Sequence, residues 1–176
     1  MSLASDLRLA ARAKLHGANY ALRIIRESRG HGIPISAGFA LVQKETYFRN
    51  IFGHDGTTSI PNSWKGGAVT KSRYAYYKAR RPTHGMQGVG PTQLTWYSFQ
   101  DEADKLGGCW RPGINIHVGL RNFSASFKTY VARGQTRRTA LQSAAHDYNG
   151  TGAAADAYGR DFLVQMDKWH NILNTK

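Results

Sequence analysis

Acidic side chains are scarce in this 176-residue chain: 11 aspartates and glutamates stand against 24 lysines and arginines, a formal charge of +13. An imbalance of that size implies an anionic partner, such as nucleic acid, an anionic membrane or an anionic wall polymer. Cysteine is nearly absent. Cys109 stands alone, so no intrachain disulfide can form and folding does not depend on an oxidising compartment. A single cysteine also excludes zinc-finger spacing, and Cys109 itself is expected to be a buried structural thiol. Long hydrophobic runs are missing. No stretch of about 18 apolar residues exists, which excludes a membrane-spanning helix. The segment from Met1 to Arg12 carries Asp6 and Arg8 within its most apolar part, so it lacks the unbroken apolar core of a secretory signal. The histidines form no His-Glu-x-x-His or comparable ligand pattern. Neither a metal nor a cofactor is expected.

What is present reads as one domain, residues 1–176, with enough apolar content (41%) to build a core. The basic residues are scattered: Arg8, Arg12, Lys14, Arg23 and Arg26, then Lys71, Arg73, Lys78, Arg80 and Arg81, then Arg133, Arg137 and Arg138. No block of five or six like charges marks a disordered basic tail.

Apolar residues at three- and four-residue steps predict helices over 5–28, 36–46, 95–105, 115–132 and 136–148, with one or two more over 155–173. Between 49 and 92, Gly53, Gly56, Gly66, Gly67, Gly85, Gly88 and Gly90, with Pro61, Pro82 and Pro91, interrupt any helical period. Tyrosines with Val69 and Thr70 predict short strands around 68–77. The expected class is therefore α+β, mostly helical, with a small β-hairpin element.

The three glutamates differ in setting. Glu27 and Glu102 lie among charged neighbours, as solvated residues do. Glu45 follows the apolar run Phe39-Ala40-Leu41-Val42 and precedes Tyr47 and Phe48, at a helix C-terminus. Apolar surroundings and the negative end of the macrodipole both disfavour a carboxylate, which suits a general acid near neutral pH.

Four segments extend that observation. Gln43-Lys44-Glu45-Thr46 comes first, and Gly88-Val89-Gly90-Pro91-Thr92-Gln93 second. Asn115-Ile116-His117-Val118-Gly119 follows, and then Ala144-Ala145-His146-Asp147-Tyr148-Asn149-Gly150. Their order and spacing over residues 33–162 resemble the goose-type lysozyme and soluble lytic transglycosylase superfamily. Its motifs are Gln-x-Glu-Ser, Gly-Leu-Met-Gln, Asn-Ile-x-x-Gly and Ala-x-Tyr-Asn-x-Gly. Thr46 replaces the family serine, and Pro91-Thr92 replace Leu-Met.

The resemblance implies a lysozyme-like domain that cuts the β-1,4 bond between N-acetylmuramic acid and N-acetylglucosamine in peptidoglycan. Glu45 is then the catalytic acid, and Thr46, Gln93, Tyr148 and Asn149 are substrate-binding positions. An inverting hydrolase also needs a base roughly 6.5–9.5 Å from the acid. Asp55, in Gly53-His54-Asp55-Gly56, is the first candidate and Asp101 the second. A lytic transglycosylase needs no second carboxylate, because the sugar's own 6-hydroxyl attacks. Trp64, Tyr74, Tyr76 and Tyr77, interleaved with basic residues, are expected to form a wall of the sugar cleft.

The expected setting is a phage endolysin, made in the host cytoplasm without a signal and acting on the wall after release, or a virion-associated muralytic domain. The partners are peptidoglycan and anionic wall polymers, with a monomeric chain that neither inserts into membranes nor reads specific nucleic acid. A non-catalytic glycan- or nucleic-acid-binding module is the rival class, favoured by the same mixture of cations and aromatics.

Overall fold

The computed structural model describes residues 2–175. Among them the chain forms eight α-helices: α1 (Leu3–Leu15), α2 (Ala21–His31), α3 (Ile35–Thr46), α4 (Lys71–His84), α5 (Tyr97–Lys105), α6 (Pro112–Ala132), α7 (Arg137–Asn149) and α8 (Ala153–Asn174). A single 3-10 turn covers Asn62–Trp64. None of these helices is long and apolar enough to cross a membrane.

The mostly helical expectation holds, but the β-hairpin does not. Of its predicted residues, 71–77 begin α4, and the only β pairing among the described residues consists of isolated bridges such as Ile51 with Ala68 and Phe52 with Val89. The physical reason lies in the tyrosines. Tyr74, Tyr77 and Arg81 recur at helical steps and are all buried. Thr70 caps that helix, its hydroxyl accepting from Arg73 N at 3.2 Å. Pro82 falls within the last turn of α4 instead of ending the segment before it.

The N-terminal helix expected over 5–28 is two helices. Gly17 (φ +81°) and Tyr20 (φ +62°) take left-handed conformations between them, which a continuous helix does not admit. Elsewhere the boundaries move by a few residues, and α6 opens on Pro112, a position where the missing N–H leaves nothing unpaired.

The chain divides into two compact units, one comprising residues 1–44 and 120–176, the other residues 45–119. In the first, α7 packs along α8, and α1 on α2 and α8. Phe39 stacks on Trp169 with ring centres 4.7 Å apart, and the indole N–H donates to Gln43 Oε1 at 2.6 Å. Phe123 joins Phe162 and Tyr148 in the same core. Lys44 pairs with Asp161 and lies 4.3 Å from the centre of the Tyr158 ring.

The second unit has its own core of Phe52, Ile60, Tyr74, Tyr77, Val89, Leu94, Cys109 and Val118. Cys109 is fully buried, as expected. Burial pushes its thiol up to about 12, against the hydrogen bond from Asn115 and with the help of the nearby Asp104 charge.

Candidate functional site

Glu45 and Thr46 end α3 and open the second unit. Two residues with left-handed backbone follow at once, Tyr47 (φ +52°) and Phe48 (φ +60°). Only four non-glycine residues among those described have positive φ, and the other two are Tyr20 and Gln93 (φ +48°). Each such residue costs on the order of 1 kcal/mol or more, and such strain concentrates at functional sites. Three of the four lie at these segments: Tyr47 and Phe48 just after Glu45, and Gln93 itself.

Side-chain hydrogen bonds tie these segments together. Thr46 is buried, and its hydroxyl donates to Pro91 O at 3.0 Å while accepting from Arg49 N at 3.2 Å. Thr46, expected among the sugar-binding residues, braces the helix end beside Glu45 against the loop that leads to Gln93. Gln93 Nε2 donates to Ile51 O at 3.0 Å and Gly90 O at 2.9 Å, which fixes the carboxamide with Oε1 turned towards Gly53 and Gly88.

Asp55 converges on the same place. Its Oδ2 accepts from Gln87 Nε2 at 2.9 Å and from Gly88 N at 2.8 Å. A Cβ on Gly53 would lie 2.5 Å from Gln93 Oε1 and 2.6 Å from Asp55 Oδ2. One on Gly88 would lie 2.5 Å and 3.2 Å from the same two atoms. The two glycines thus leave the space into which a carboxylate and a carboxamide oxygen both point. Asp55 Oδ2 and Gln93 Oε1 face one shared space. Asp101, the other candidate base, is on α5 in an ion pair with Arg81, with Lys78 Nζ 3.8 Å away.

The second and third motifs are knitted by Asn115. Its Nδ2 donates to Val89 O at 2.8 Å, and its Oδ1 accepts from Thr92 N at 3.0 Å and Thr92 Oγ1 at 2.8 Å. Gly90 and Gly119 make room for this. A Cβ on Gly90 would sit 2.4 Å from Asn115 Nδ2, and one on Gly119 would sit 2.3 Å from Thr92 Oγ1. Pro91-Thr92 thus has a structural task in this chain, with Thr92 buried and its hydroxyl turned to Asn115.

Tyr148 and Asn149 belong to the first unit, at the end of α7. Tyr148 is half-buried with its ring edge-on to Phe123, and Asn149 is exposed. His146 and Asp147 of the same motif line a cavity of about 370 Å³ with Tyr130, Gln142 and Asp156. Asp147 accepts from Tyr130 Oη at 2.8 Å and Ser126 Oγ at 3.1 Å. Its pKa is lowered overall: burial works upwards, but the hydrogen bonds from Tyr130, His146 and Ser126 outweigh it.

The expected aromatic wall divides in two. Tyr74 and Tyr77 are core residues, whereas Trp64 is half-buried and Tyr76 is exposed. Two contributors escaped the sequence reading. Gln87 holds Asp55, and Gln100, fully buried, grips the backbone on either side of the Gly88–Gln93 segment. The pattern Gln87-Gly88, a donor beside a residue with no side chain, was the available signal for the first.

Comparison with protein-family models, curated proteins and solved structures finds no match.

Proposed function

We propose that this chain cleaves the glycan strand of peptidoglycan, with Glu45 as the general acid and Gln93 as a sugar-binding amide. The observation that supports this reading most directly is the convergence of Asp55 Oδ2 and Gln93 Oε1 between Gly53 and Gly88, in a unit whose first residue is Glu45. Glu45 protonates the leaving glycosidic oxygen as positive charge develops on the sugar ring. Asp55, its Oδ2 fixed by Gln87 and Gly88, acts as the base that takes a proton from the attacking water. The motif resemblance assigns Tyr148 and Asn149 of the first unit to sugar binding as well. The setting we propose is a phage endolysin or a virion-associated muralytic domain.

Digestion of purified peptidoglycan, with products read by mass spectrometry, tests the reading. Hydrolysis leaves reducing muramic ends, the expected result. Anhydro-muramic ends would assign a lytic transglycosylase and remove Asp55 from the mechanism. No soluble muropeptide at any enzyme concentration would overturn the reading.

Gly88→Ala probes the shared space. The new methyl meets Gln93 Oε1 and Asp55 Oδ2, so the two groups must part. Displacement of a reacting group by about 1 Å costs roughly 100-fold in rate. Muropeptide release by the folded variant should fall on that order. Gly30→Ala, where nothing lies within 4 Å of the added Cβ, should leave it unchanged.

A further inference from the structure

The outer face of α4 is basic, aromatic and without acidic residues. Arg73, Tyr76 and Arg80 follow one another at steps of three and four, which puts them on one face of the helix. Trp64, from the 3-10 turn, packs against this face, its ring 5.1 Å from that of Tyr76 at 63°. The Arg73 guanidinium lies 5.0 Å from the Trp64 ring centre and donates to Ala68 O at 3.2 Å. The Arg80 guanidinium lies 3.5 Å from the Tyr76 ring centre and donates to Tyr76 O at 3.2 Å.

Among the described residues neither arginine has a carboxylate partner. The carboxylates of α5 that reach α4, Asp101 and Asp104, are taken by Arg81 and Lys78 at other positions around the helix. Exposed Lys71 adds a third cation at the start of α4. The result is a ladder of two arginines, pinned by backbone carbonyls and ring faces, whose charge nothing in the second unit neutralises.

Pinning lowers the entropy lost when a guanidinium engages an anion, and the planar fork matches a phosphate in two-point geometry. It also decides which anion. Surfaces for single-stranded nucleic acid present open ring faces on which bases stack. Here a guanidinium already lies over each ring. The strip offers fixed positive forks, and a guanidinium takes up one face of each ring, which suits a phosphate-rich chain without bases.

We propose that the Arg73–Trp64–Tyr76–Arg80 strip is a docking surface for a phosphodiester-linked polyol of the cell wall, of the poly(glycerol phosphate) type. The phosphate chemistry follows from the ladder itself; the choice of a wall polymer rests on the muralytic reading.

The test measures binding of the full chain to soluble poly(glycerol phosphate), with Arg73→Gln/Arg80→Gln compared against Lys14→Gln/Arg160→Gln, which removes the same charge from exposed positions of the first unit. Circular dichroism melts verify that both variants fold. The strip variant should lose about tenfold in affinity with a flatter salt dependence, and the control less than twofold. Equal losses in the two variants would overturn the proposal in favour of diffuse attraction. Tighter binding of a thymidine oligonucleotide of equal charge, lost in the strip variant, would overturn it in favour of nucleic acid. Muropeptide release from polymer-free peptidoglycan separates this from the catalytic reading. It should be unchanged in the strip variant, and its absence in the wild type counts against Glu45 chemistry and not against the ladder.

Discussion

Glu45→Gln should reduce muropeptide release from purified peptidoglycan by roughly 10²- to 10⁴-fold, the range that a positioned general acid supplies. The exchange keeps the side chain's shape and removes the carboxyl group that can transfer a proton. The hydrogen bonds of Thr46 with Pro91 O and Arg49 stay in place at this helix end, and a circular dichroism melt verifies that the variant folds. Wall binding should survive as well, so sedimentation with intact sacculi is the proper companion measurement. Lost cleavage with retained binding is the expected pair. Unchanged cleavage would remove Glu45 from the chemistry, and absent cleavage in both proteins would leave a glycan-binding module.

Asp55→Asn then separates the two routes to products. The amide oxygen can still accept from Gln87 Nε2 and Gly88 N, so the loop should stay in place. What disappears is the ability to take a proton from water. A hydrolase should lose activity on the same scale as Glu45→Gln. A transglycosylase, in which the 6-hydroxyl attacks and the acid later serves as base, should keep most of its rate. Products and variants must agree: reducing ends with a fully active Asp55→Asn would show that the base lies elsewhere.

How much of this was legible in the sequence depends on the kind of residue. Periodic apolar stretches were read well. Residues 36–46 and 136–148 appear as α3 and α7 with ends displaced by at most one residue, because burial of one face dictates a helix whatever surrounds it. The stretch around residues 68–77 was misread, since tyrosine favours strands only where a pleated surface receives it. Here Tyr74 and Tyr77 enter a core together with Phe52, and their spacing of three had already matched a helix. The break after α1 was missed because Ala18 is buried and continues the apolar pattern, while the left-handed backbone at Gly17 and Tyr20 leaves no such mark.

The candidate site shows the same division. Asp55 and Gln93 were named from the Asp-Gly turn and the motif, and the fold brings their oxygens to one place. The partners that put them there were not legible. Gln87 and Gln100 look like any polar residue in a glycine-rich loop or an amphipathic helix. What distinguishes them is which carbonyl or carboxylate their amides meet, a matter of contacts between residues 13 to 32 positions apart. Thr46 stands beside Glu45 in sequence, but its contact with Pro91 O, 45 residues away, was not legible there.

Gln100→Ala should be the most destabilising polar substitution in the second unit. The Gln100 side chain is fully buried. Nε2 donates to Gln87 O at 2.9 Å and Leu94 O at 2.8 Å, and Oε1 accepts from Tyr77 Oη at 2.9 Å and Arg81 Nη1 at 3.2 Å. Truncation leaves buried polar groups short of partners and opens a cavity. At about 1–3 kcal/mol for each group left unsatisfied, and with Leu94 O and Arg81 keeping other partners, a loss of about 3 kcal/mol follows. For a chain of this length that lowers the melting midpoint by roughly 6–12 °C. Gln100→Glu isolates the donor. Its second oxygen faces the carbonyls of Gln87 and Leu94, where only a protonated carboxyl can donate. Arg81 favours the charged form, but it already pairs with Asp101, and the repulsion of two carbonyls should prevail. The folded state then holds its proton more tightly than the unfolded chain, which titrates near about 4.3. Relative to wild type, this variant should be least impaired below that pH and lose stability as pH rises through the higher folded value. A deficit independent of pH would mean that the carboxylate has found donors and that the grip on Gln87 O is not what holds the Asp55 loop in place.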